Sequence, residues 1–160
     1  MKPLLLLLFL HPITEICKSI SLPPYYQSNC VQSLVVVLQK STTIAFTQND
    51  LKEVHINYPN AWDMVAQNDP RIKGVAYNLV QRGIATEVKI NDLQEGDIVQ
   101  FWNTGWGHCG IAKGCNYPKR LLWLYSSMPG TDFALTSFLF PTKFFACRIK
   151  QQYPLMCHLW

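Results

Sequence analysis

The chain has 160 residues, 49% of them hydrophobic and 15% charged, which is enough apolar material for one domain with a buried core and excludes a disordered or fibrous chain. Its formal net charge of +4 comes from 14 basic and 10 acidic residues spread along the sequence. That predicts a mild attraction to anionic surfaces and no nucleic-acid site.

Residues 1–19 read as a secretory leader. Lys2 supplies the positive end, residues 4–10 are a run of Leu and Phe, and Cys17 and Ser19 are the small residues ahead of a cut after Ser19. The run is too short to cross a bilayer, which takes about 20 apolar residues, so no transmembrane segment is expected and the rest, residues 20–160, forms a single secreted or periplasmic domain. Lipid attachment at Cys17 is the alternative, and Ile16 fits it poorly because such sites take a small residue there. Six cysteines in an exported chain invite disulfides. With Cys17 in the leader and Cys30 set apart below, Cys109, Cys115, Cys147 and Cys157 allow three pairings. Buried reduced thiols are the equal alternative.

Leu22-Pro23-Pro24-Tyr25-Tyr26 is an extended approach, since each proline removes a donor and biases its predecessor away from the helix. Ser28 or Asn29 then caps a helix that has Cys30 in its first turn, runs to about Lys40 and is apolar nearly all round over residues 34–38. Two short helical pieces are expected in residues 41–68, one signalled by Asn49-Asp50 and one by Pro59. A third is better marked: Asp69 caps, Pro70 opens, Ile72, Val75, Ala76, Leu79 and Val80 form a stripe, and Gly83 ends it. From residue 86 the period is two. Residues 86–90, 97–102, 108–113, 120–126, 133–138 and 143–149 are short runs rich in β-branched and aromatic residues between turn signals. Helices first and a meandering antiparallel sheet second is an α+β pattern.

A thiol at a helix N-terminus is chemically suggestive, because the thiolate is the nucleophile and the positive end of the helix favours it. His108, 78 residues after Cys30 and in a strand, is the base that would take its proton. Asp97 follows Gly96 in a turn and is better explained by a local hydrogen bond than by acid catalysis. His55 and His158 have no motif around them and read as surface residues. Successive strand residues face opposite ways, so His108 and Cys109 are not expected to share a ligand sphere, and no metal is expected with Cys115.

Gly96-Asp97-Ile98-Val99-Gln100-Phe101-Trp102 followed by Gly107-His108-Cys109-Gly110-Ile111 resembles the paired strands of the NlpC-type and CHAP cysteine peptidases, where a Gly-Asp-apolar-apolar-x-aromatic strand precedes a His-x-Gly-Ile strand. Asn29-Cys30 resembles the Asp-Cys-Ser-Gly start of their nucleophile helix, with Val31 and Gln32 in place of the small residues. The resemblance implies a papain-like fold, N-terminal helices on a C-terminal antiparallel sheet, and hydrolysis of peptidoglycan amides without a cofactor. In the lecithin retinol acyltransferase-like relatives the His precedes the Cys, so the order here favours amide hydrolysis over acyl transfer to lipid. The family places a His, Asn, Gln or acidic residue on the strand after the catalytic His; this chain offers Leu124-Tyr125-Ser126-Ser127-Met128. Ser126 is the expected orienting residue, with Ser127, Tyr125 or a backbone carbonyl as rivals.

Trp106, between two glycines and next to the His108 turn, is the expected wall of a substrate groove, joined by Trp102 and Tyr26; Trp62 fits a groove or a core equally. The partner expected is peptidoglycan or a peptide, acted on by a monomer. A catalytically weak or inactive binding relative, or an effector amidase acting on another cell's wall or protein, are the alternatives.

Overall fold

The structure, a computed structural model, describes residues 13–151. The leader features at Lys2 and residues 4–10, and also Cys157 and His158, lie outside the described residues. The fold is α+β: helices α1 (Ile13–Ser19), α2 (Cys30–Ser41), α3 (Gln48–Val54), α4 (Tyr58–Ala66) and α5 (Gly74–Gln81) precede or flank strands β1 (Ala85–Val88), β2 (Ile98–Asn103), β3 (Trp106–Asn116), β4 (Leu121–Met128), β5 (Asp132–Leu139) and β6 (Lys143–Ile149). No helix among the described residues is long and apolar enough to cross a membrane.

The sheet is antiparallel with strand order β1-β6-β2-β3-β4-β5. Strands β2 to β5 form the expected meander, but β6 crosses back to lie between β1 and β2. Its composition explains the placement. Ala146 and Phe144 go to one apolar cluster while Cys147 goes to the other, and a strand apolar on both faces is stable only inside a sheet. One face of the sheet, through Ile98, Cys109, Ile111, Tyr125 and Cys147, packs on Leu34, Val35, Val37 and Leu38 of α2 and on Val75, Ala76 and Leu79 of α5. Val99, Phe101, Ala112, Leu122, Leu124 and Phe138 fill the opposite face.

Two local readings are corrected. The helix expected from Asp69 to Gly83 is broken into a 3-10 turn, Pro70–Lys73, and α5. The break is at Gly74, which has φ 53° and sits where a Cβ would be 2.7 Å from Gln100 Oε1, so only glycine both adopts the backbone and admits the buried glutamine. Helix α3 is capped by Thr47 in a reciprocal box with Asp50, rather than at Asn49-Asp50.

Residues 13–19, which the leader reading assigns to a cleaved segment, form α1 and bury Ile13 and Cys17 in the same core as α2. Thr14 Oγ1 donates to Glu95. A chain beginning at Ile20 is therefore expected to be about 2–4 kcal/mol less stable to urea than one beginning at Ile13, the scale of exposing one Ile and one smaller apolar side chain. Equal midpoints would show that α1 contributes nothing to the fold.

Candidate active site

The entry to α2 is built from three consecutive residues, Ser28, Asn29 and Cys30. Asn29 is the cap: its Oδ1 accepts from the N–H of Val31 and of Gln32, each at 3.1 Å, and its own N–H donates to Gln32 Oε1 at 3.0 Å. Ser28 is buried instead. Its carbonyl accepts from Ser33 Oγ and from Ser127 Oγ, each at 3.1 Å, which pins the helix entry to β4. Cys30 is consequently the first residue of α2, half-buried and packed against the core that contains Cys109.

Strand β3 brings up the other half. The Ala112 N–H donates to Asp97 O and its carbonyl accepts from Gly96 N–H, both 2.8 Å, so Ala112 bonds toward β2. By antiparallel alternation Ile111 and Cys109 direct their amides toward β4. The β3–β4 ladder reaches Ile111↔Tyr125 and goes no further toward Cys109. That leaves the Cys109 amide on the side of Cys30, and this amide, the Cys109 side chain and His108 are the groups that lower the pKa of the Cys30 thiol. Strand alternation does separate His108 from Cys109, yet both act on the thiol at the open end of the ladder.

His108 is 5% exposed. Its ring centroid lies 5.2 Å from that of Phe138, 5.9 Å from Phe101 and 6.4 Å from Trp106. Its Nε2 is 2.9 Å from Ser126 Oγ, which leaves Nδ1 as the nitrogen open to a second partner. Gly110 makes the Ser126 contact feasible, since a Cβ there would stand 2.6 Å from the Tyr125 carbonyl oxygen and 2.9 Å from Ser126 Cβ. Gln100 Nε2 donates to the His108 carbonyl at 3.0 Å and fixes the strand from the other side.

The Cys30 thiol is held well below the ordinary range for cysteine. The hydrogen bond with the Cys109 side chain is the largest cause; the hydrogen bond and charge of His108 and the Cys109 amide add to it, and burial opposes them. Cys109 moves the other way, well above its usual range, because its S–H serves Cys30 and because it is buried. Since the thiolate is the reactive form, iodoacetamide is expected to label Cys30 at its plateau rate well below the pH that an ordinary thiol, with pKa about 8.5, requires, and more slowly only toward acid. Cys109→Ala should move that midpoint up. A midpoint at or above the ordinary thiol value in the unaltered chain would show that Cys30 is not activated.

Of the expected groove residues, Trp106 is 39% exposed and leans its edge on Phe101, with centroids 5.3 Å apart. Tyr26 is 80% exposed in the turn before Ser28. Trp102 is a correction. It is 4% exposed, its indole N–H donates to the Ile72 carbonyl at 2.9 Å, and it packs with Ala61 and Ile72. Successive residues of β2 face opposite ways, and the side chain of Trp102 goes under α4 while that of Phe101 joins the His108 cluster. It is core and cannot line a groove.

Asp97 is buried, accepts from Gln94 N–H at 2.8 Å and pairs with Arg148 at 2.7 Å, a turn-to-β6 tie. His55 is exposed at the end of α3 beside a groove of about 430 Å³ that Val31 and Gln32 also line. Cys17, Cys109, Cys115 and Cys147 are free thiols. Among the described residues no group of three His, Cys, Asp or Glu is placed to hold a metal. Sequence reasoning missed Gln100, Ser127 as the anchor of α2, and Cys109 as a partner of Cys30; the one signal was a polar Gln inside an apolar strand. No family model, curated protein or solved structure matches the chain.

Proposed function

We propose that the chain is an exported, papain-like cysteine amidohydrolase of the NlpC and CHAP kind that cleaves amide bonds of bacterial peptidoglycan. The observation that carries this is an activated thiol at a helix N-terminus beside an imidazole whose far nitrogen is already held by Ser126. His108 takes the Cys30 proton, the thiolate attacks the amide carbonyl, and the same imidazole, now charged, gives the proton to the leaving amine. Water, activated by the neutral imidazole, then clears the thioester. Because Asn29 engages the amides of Val31 and Gln32, the Cys30 amide is the donor for the developing oxyanion. Trp106 beside His108 is a wall for substrate. The choice of peptidoglycan rests on the resemblance of the two strand motifs and on the leader.

Ser126→Ala should lower kcat about tenfold to a hundredfold, the scale of one misdirected general base, with little change in KM. If Ser127→Ala does this and Ser126→Ala does not, Ser126 has no part in orienting the base.

Incubation of the full chain with purified peptidoglycan, with the new ends identified by mass, tests the reading as a whole. New ends at the muramoyl–alanine link or within the stem peptide are expected. A substrate-binding relative is the second reading, favoured by a hydroxyl where the family has a stronger imidazole partner. Slow, ordinary alkylation of Cys30 together with no new ends would decide for it. New ends only from the wall of a foreign cell would favour the effector.

A further inference from the structure

We infer that Cys30 and Cys109 are a redox pair: a hydroperoxide oxidises Cys30, and Cys109 resolves the product as an intramolecular disulfide that reversibly closes the nucleophile. The placement is the basis. Cys30 opens α2, whose entry is tied to β4 through Ser127 and the Ser28 carbonyl; Cys109 lies on the face of β3 that α2 covers, 0% exposed, in the core cluster on which Cys30 packs. Both are free thiols, and each is the largest influence on the titration of the other, in opposite directions. A disulfide of about 2.05 Å between them asks for a side-chain adjustment at the first residue of a helix.

The chemistry balances. The Cys30 thiolate attacks one peroxide oxygen, the O–O bond breaks, and a sulfenic acid and a hydroxide or alkoxide form. The Cys109 sulfur then attacks Cys30; the S–S bond forms, the S–O bond breaks, and hydroxide leaves with the Cys109 proton as water. The two sulfurs together supply the two electrons that reduce the peroxide. With Cys30 oxidised, the thiolate whose hydrogen bond and charge held Cys109 protonated is gone, which favours the second step. A dithiol reductant reverses the bond by two exchange steps. The other buried thiols are poor candidates for attack by peroxide: burial pushes Cys17 up to about 12 and raises Cys147 as well.

The test does not depend on hydrolysis, so its failure leaves the proposed activity standing and the converse holds too. The full chain is treated with hydrogen peroxide, quenched, weighed intact and mapped by proteolysis before and after dithiothreitol. Expected are a mass lower by two hydrogens, a cross-linked pair of peptides carrying Cys30 and Cys109, and loss of Cys30 alkylation that dithiothreitol restores. In Cys109→Ala the same treatment should add oxygen to Cys30 up to the sulfinic acid, and dithiothreitol should not restore its alkylation. Because the map of the unaltered chain stands alone, poor folding of that variant would not spare the proposal. Oxygen added to Cys30 in the unaltered chain with Cys109 still a free thiol, or a bridge from Cys30 to any other cysteine, would overturn it.

Discussion

Cys30→Ala is expected to reduce hydrolysis of wall fragments by at least about a thousandfold, since removing the covalent nucleophile removes the pathway rather than one contact within it. Retention of more than about a tenth of the unaltered rate would defeat the assignment. The substitution changes one half-buried sulfur at a helix end, so the unfolding midpoint in urea should move little. His108 is a different test, because it is buried against Phe101 and Phe138 rather than displayed in a cleft. His108→Ala opens a space there and is expected to cost about 1–3 kcal/mol along with activity. His108→Gln keeps more of the volume and still loses the base, so equal inactivity of both variants separates the chemical role from the packing role. In both, Cys30 loses the favourable charge of the imidazole, and in His108→Ala its hydrogen bond as well, so the midpoint of its alkylation should move to higher pH.

Trp102→Ala is expected to destabilise the fold by about 3–5 kcal/mol, the range for truncating a buried Trp. The indole fills the space between β2 and the 3-10 turn, packs on Ala61 and Ile72, and satisfies the Ile72 carbonyl; its loss leaves both a hole and an unpaired acceptor. Trp106→Ala should cost only about 1 kcal/mol, since the ring is partly in water and loses chiefly its edge contact with Phe101. The effect of Trp106→Ala should appear in KM for wall fragments instead. Denaturant titration of the two variants side by side settles the contrast. Similar stability losses would mean that Trp106 is core as well and that the groove must be sought elsewhere.

What can be read without the structure is what depends on near neighbours in the chain. Asn29, Pro70, the alternation from residue 86 and the turn residues each act over a few bonds, so the α+β class, the position of α2 and the rough positions of all six strands are legible in them. The same holds for nominating Cys30 and His108, whose local settings are a helix start and a strand. Tertiary structure alone decided the rest. Trp102 and Trp106 look alike as aromatic residues near a turn, and only the placement of α4 and the 3-10 turn on one face of β2 makes the first a core residue. Gly74 breaks a helical stripe because Gln100, 26 residues later, needs its space. β6 inserts beside β2 because both its faces must be covered, a demand that periodicity registers but cannot assign to a neighbour. The surroundings of Cys30 depend most on such distant pairings. Cys109 lies past Ile111, where the β3–β4 ladder stops, and only the docking of α2 on β4 through Ser28 and Ser127 brings the start of the helix to that end of the sheet.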